Sequence, residues 1–125
     1  MNLVDSSGWI EYFQDSARAD LFAPAIEQRS VLLVPVIALF EVHKVLSRHI
    51  PPQAVQECLD VMRLGRVLEI TDKRAIAAAD TALRHRLAMA DAMMYSLAME
   101  FNAEFWTQDV DYEGLPGVRY FAKSP

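Results

Sequence analysis

Two kinds of apolar pattern alternate along this chain of 125 residues. Short unbroken apolar runs stand between longer stretches with helical spacing. Residues 2–4 read as a short buried strand that ends at Asp5. Ser6 and Ser7 are good helix N-caps, and Trp9, Ile10 and Phe13 give the i, i+1, i+4 spacing of a first helix. A second helix fits 17–28, with Leu21, Phe22, Ala25 and Ile26 as its stripe. Val31-Leu32-Leu33-Val34 is a continuous apolar run, as expected of a strand covered on both faces. Pro35 ends it, and a long helix follows over 36–48.

Pro51 and Pro52 punctuate the chain, because proline suits the first turn of a helix but not its interior. The next helix covers 53–64, and 66–70 forms a short strand. Thr71 then caps an alanine-rich helix whose stripe is Ile76, Ala79, Leu83 and Leu87. A further helix over 91–102 leads into a strand at 104–106. Residues 109–117 are turn-rich, and 118–121 form a last edge strand. Helices alternating with about five short strands indicate an α/β fold with a mostly parallel central sheet.

Composition narrows the class. The length suits one domain, and 53% hydrophobic against 23% charged residues predicts a filled core rather than disorder. The 12 Lys+Arg against 17 Asp+Glu speak against a simple basic-patch nucleic-acid binder. A nucleic-acid substrate stays open, since a metal held by carboxylates supplies positive charge. Cys58 stands alone in the apolar pattern Val55, Cys58, Leu59, Met62, which excludes an internal disulfide and a thiolate zinc site. The longest uncharged apolar stretch, 30–40, contains Pro35 and falls short of the roughly 20 residues of a spanning helix. With no signal-peptide pattern at the start, the expectation is a soluble, cytoplasmic protein.

In open parallel sheets chemistry gathers beyond the carboxyl ends of the strands. That rule selects Asp5 after the first strand and Asp109 after the Phe105-Trp106 strand. Glu41 lies between Ile37 and Val45 on one i, i+4 row at the flank of an apolar helix face, where a glutamate needs a cation, a donor or a cleft. Asp91 opens a helix, and Asp111 follows Asp109 at i+2. Each has an ordinary explanation as a turn, edge, first-turn or loop acid, and it is their convergence in one α/β domain that matters. Gathered acids need positive charge to stay ionised, and Mg²⁺ or Mn²⁺ suits carboxylate oxygens. His43, His49 and His85 are scattered and read as surface residues.

The chain resembles the PIN-domain ribonucleases, especially the VapC-type toxins of toxin–antitoxin pairs. The resemblance rests on Leu3-Val4-Asp5-Ser6-Ser7 and Phe40-Glu41-Val42-His43-Lys44-Val45-Leu46. It continues through Leu87-Ala88-Met89-Ala90-Asp91-Ala92-Met93-Met94-Tyr95 and the run from Phe105 through Thr107, Asp109 and Asp111 to Val118. Met93-Met94 and Tyr112 depart conservatively from the usual residues.

What the resemblance implies is a single three-layer α/β/α PIN domain over 1–125 and metal-dependent endoribonuclease activity. Asp5, Glu41, Asp91 and Asp109 take the places of the acidic quartet, with Asp111 as a fifth acid and Ser6 and Thr107 as supporting hydroxyls. Asp5, Asp91 and Asp109 would hold one or two Mg²⁺ or Mn²⁺ ions, and Glu41 would orient the attacking water or complete a second ion's shell. The products would be a 5′-phosphate and a 3′-hydroxyl.

Arg84 and Arg86, with Lys44 and Arg48, are the candidate cations for flanking RNA phosphates. Trp9, Tyr12, Phe13 and Phe22 are expected in the core or a protein interface. The apolar first two helices fit a homodimer or a groove for an antitoxin, both also implied by the resemblance. Alternatives are a housekeeping RNA-processing nuclease or a catalytically silent PIN-like binding module, the latter disfavoured because all four acids are present. An aspartyl phosphatase would want an acid where Ser7 stands. Setting the five candidate acids aside leaves 12 acids against 12 Lys+Arg, so the acidic excess is the expected site itself.

Overall fold

The computed structural model describes residues 1–123, so the last two residues of the expected domain lie outside the described residues. Its order is β1 (Asn2–Val4), α1 (Ser6–Phe13), α2 (Ala19–Glu27), β2 (Leu32–Pro35), α3 (Val36–Leu46), α4 (Pro52–Met62) and β3 (Arg66–Leu68). Then come α5 (Asp72–His85), α6 (Met89–Glu100), β4 (Glu104–Thr107) and β5 (Val118–Tyr120), with short 3₁₀ turns at Arg29–Val31 and Val110–Tyr112. The five strands form one sheet in the order β3-β2-β1-β4-β5. All four pairings are parallel. The expected α/β class therefore holds, with every strand parallel.

This order puts β1 and β4 side by side at the centre, where the direction of winding reverses. Right-handed crossovers place α1–α4 on one face and α5–α6 on the other. Leu3, Val4, Leu33, Val34 and Phe105 are fully or almost fully buried, as strands covered on both faces require. Trp9 and Phe22 complete the core on the α1–α2 side. Gly8 permits that packing: a Cβ there would lie 2.6 Å from the Phe22 ring and 2.7 Å from Val4. No helix among the described residues is long and apolar enough to cross a membrane.

Two local expectations are corrected. The backbone of Asp5, not Ser6 or Ser7, occupies the N-cap position of α1, and the two serines form its first turn. On α5 the expected stripe is on the wrong side. Ile76 and Leu83 are 66% and 83% exposed and Ala79 is exposed, so only Leu87 of the four is buried. Ala78 is buried and Ala75 and Ala82 are half-buried, because α5 lays its small residues against α6. Alanine lets two helices approach closely, and that contact outweighs burial of the larger side chains.

Candidate active site

The carboxyl ends of β1 and β4 set the site. Asp5 follows β1 and donates its backbone N–H to the Trp106 carbonyl at 2.9 Å, which continues the β1–β4 ladder to the strand end. Its side chain is only 3% exposed. Oδ2 accepts hydrogen bonds from the Thr107 hydroxyl at 2.9 Å and the Ser7 hydroxyl at 3.1 Å. Burial nevertheless dominates and pushes the Asp5 carboxyl up to about 7, with Asp91 and Asp109 raising it further against the two hydroxyl donors.

Thr107 also shapes the loop that follows. Its hydroxyl oxygen accepts from the Asp109 N–H at 2.9 Å, and the Asp109 carboxylate accepts from the Asp111 N–H at 2.9 Å. The second bond caps the 3₁₀ turn and brings Asp109 and Asp111 to the same side of the loop. Asp91 sits in the first turn of α6, two residues after its start. Its carboxyl is raised, first by burial and then by Asp109, Glu41 and Asp111, while the nearby Tyr112 hydroxyl works the other way. Tyr112 is itself fully buried; its hydroxyl has no partner of good hydrogen-bond geometry, and burial together with Asp5 and Asp91 raises its pKa.

One carboxylate oxygen from each of Asp91, Asp109 and Asp111 lies within 4.8 Å of the other two. Asp5 stands behind this trio, coupled electrostatically to Asp91 and Asp109 but not one of the three. Glu41 comes from the flank of α3, half-buried as the row Ile37, Glu41, Val45 predicts, and its Oε1 accepts from the Ser6 hydroxyl at 2.9 Å. All five acids and both hydroxyl residues are thus placed around the same strand ends. Asp111 is drawn closer into the cluster than the quartet alone implied.

The donor set suits a hard divalent cation. It offers carboxylate oxygens only, with no histidine or cysteine in the trio, and the buried Asp5 resists ionisation in the absence of countercharge. The RNA-contact candidates lie farther out. Arg84 and Arg86 are exposed at the end of α5, which Arg86 closes in the left-handed conformation, and Lys44 and Arg48 are exposed at and beyond the end of α3.

A supporting network escaped the residue pattern. Gln108, 5% exposed, accepts from Arg18 Nε at 2.6 Å and donates to Glu11 Oε2 at 2.8 Å. Arg18 Nη2 also donates to the Phe121 carbonyl at 3.0 Å. Burial pushes the Glu11 carboxyl up, but the bonds from Gln108 and Ser16 with the charges of Arg18 and Lys123 outweigh it and hold the group low. The only trace in the sequence is a glutamine between two site residues, whose partners are about 90 positions away.

A family model for the PIN domain matches residues 3–117. The chain belongs to the PIN domain family. No curated protein matches it in sequence. Among solved structures, this PIN domain is similar to a toxin–antitoxin complex from Klebsiella pneumoniae, with TM-score 0.82 and 19% identity over 95% of this chain and 96% of that one. VapC20 from Mycobacterium tuberculosis, described as a sarcin–ricin loop cleaving toxin, aligns with TM-score 0.77 and 20% identity over 95% and 99% of the two chains. DNA-bound VapBC from Salmonella typhimurium aligns with TM-score 0.68 and 15% identity over 96% of each. At these identities the likeness is one of fold.

Proposed function

We propose that this PIN domain is a Mg²⁺- or Mn²⁺-dependent endoribonuclease and the toxin of a type II toxin–antitoxin pair. The observation that carries the nuclease reading is the trio Asp91, Asp109 and Asp111, with ligand oxygens within 4.8 Å of one another and Asp5 buried behind them. The toxin assignment draws on the similarity to VapC and VapBC structures and to the Klebsiella complex. On this reading the whole of 1–125 is one domain, working in the cytoplasm as a homodimer held in check by a cognate antitoxin protein.

Asp91, Asp109 and Asp111 would hold the cation, with the buried Asp5 as a further ligand or as the counter-charge beside them. When bound, the ion supplies Lewis-acid polarisation of the phosphodiester and neutralises charge developing on its oxygens. Glu41, steadied by Ser6, orients the attacking water and accepts its proton. Thr107 and Ser7 fix the Asp5 carboxylate, so that site geometry exists before substrate arrives. Arg84, Arg86, Lys44 and Arg48 are the candidates for holding flanking phosphates.

The test is cleavage of a 5′-labelled single-stranded RNA by the wild type and Asp91→Asn, with Mg²⁺ and with EDTA. Cleavage by the wild type in Mg²⁺ alone, leaving 5′-phosphate ends, is expected. Cleavage in EDTA, or full activity of Asp91→Asn, overturns the mechanism.

A further inference from the structure

Beside the acids, Ser7, Gln108, Asp109, Val110, Tyr120 and Lys123 line an open pocket of about 360 Å³, within the range of about 300–1,000 Å³ common to ligand sites. We propose that this pocket is a subsite for one nucleotide of single-stranded RNA, with the base against Tyr120 and the phosphate on Lys123. The inference rests on the nuclease reading above and adds where the strand enters and what grips it.

Three features support it. Asp109 belongs to both the pocket and the acid trio, so an occupant sits next to the reacting phosphodiester. Side chains alternate along β5 and just beyond it. Phe121 turns inward against Phe22 and Trp106, with ring centroids 5.3 and 5.9 Å apart, which leaves the half-buried Tyr120 ring on the pocket side. Lys123, exposed at the rim, brings a cation to a face otherwise lined by Asp109. Asp109 would repel a phosphate while its carboxylate is free. The phosphate is therefore expected when a cation engages the acid trio, which leaves Lys123 as the uncommitted charge of the lining.

The pocket also indicates how it reads its ligand. Gln108, the one amide in the lining, already accepts from Arg18 and donates to Glu11. It forms a fixed floor with little left for base edges. Recognition here is by stacking and charge, which tolerates any base. Sequence choice, where it exists, is made elsewhere along the strand.

The experiment uses the full chain in an Asp91→Asn background with Mg²⁺ and a labelled, mixed-sequence single-stranded oligoribonucleotide containing 4-thiouridine. Anisotropy should show Tyr120→Leu weakening binding by about 5- to 150-fold, the range of one lost base–aromatic stack. Tyr120→Phe, which keeps the ring, should bind like its parent. Lys123→Gln should weaken binding and flatten the log–log salt slope by about 0.7, the value for one phosphate contact on a single strand. Photocrosslinks should map to Tyr120 or its neighbours. Parent-like binding by both Tyr120→Leu and Lys123→Gln, or crosslinks only on α3 and α5, overturns the proposal. Should Tyr120→Leu fail to fold, Lys123→Gln and the crosslink map decide. Failure of the nuclease reading shows separately, as wild-type protein leaving the same RNA uncut in Mg²⁺.

Discussion

The Thr107 hydroxyl donates a 2.9 Å hydrogen bond to Asp5 Oδ2, and the same oxygen accepts the Asp109 N–H at 2.9 Å. One buried hydroxyl therefore ties the end of β1 to the loop that carries two of the clustered acids. Thr107→Val keeps the shape and removes both bonds. It should lower stability by about 1–3 kcal/mol, the usual effect of leaving a buried polar group unsatisfied. Mn²⁺ affinity by calorimetry should fall with it. Thr107→Ser should restore most of both. A valine variant with wild-type stability and affinity would show that the hydroxyl bridge does not organise the site.

Asp5 makes metal-free stability depend on pH with a defined sign. Its folded-state pKa, about 7, lies above the ordinary value of 3.8, so the folded state binds this proton more tightly than the unfolded one. The stabilising contribution is complete below about pH 4 and is lost as pH rises through 7. The raised Asp91 carboxyl acts in the same direction. A shift of this size corresponds to about 4 kcal/mol at most. Urea unfolding in EDTA should show this contribution falling from pH 5 to pH 8. Asp5→Asn should flatten the fall, and Mg²⁺ or Mn²⁺ should raise wild-type stability at pH 8. An unchanged pH slope in Asp5→Asn would refute the assignment.

Much of the site's placement is legible from spacing. Asp5 sits where an apolar strand stops, and Glu41 sits on the Ile37–Val45 row, because strand ends and helix flanks follow from short periodicities. The α5 face is not legible in that way. Ranking residues by size favours Ile76 and Leu83, yet the face chosen is the one whose alanines fit α6. The Arg18–Gln108–Glu11 network is a product of tertiary folding alone, since nothing local distinguishes Gln108 from a solvated loop glutamine. Asp111 stands between the two cases. Its i+2 spacing is visible, but its turn toward Asp91 depends on the Asp109 carboxylate capping its own loop.

Arg18 is where the acid loop is anchored from outside. Its guanidinium holds the Gln108 side chain at 2.6 Å and the Phe121 carbonyl at 3.0 Å, joining the start of α2 to the residues after β4 and β5. Arg18→Ala leaves the buried Gln108 with only its Glu11 bond and removes a cation that helps keep Glu11 ionised. The expected loss is about 1–3 kcal/mol of stability, because a charged donor is withdrawn from a nearly buried acceptor. Arg18→Lys should recover only part of it, since one ammonium cannot reproduce the two-pronged fork. RNA cleavage should fall more steeply than the unfolding midpoint, because the loop bearing Asp109 and Asp111 loosens before the core does. Hydrogen exchange at 108–112 is the check: faster exchange confined to this loop is expected in Arg18→Ala. Uniform exchange with wild-type cleavage would reduce Arg18 to a surface contact.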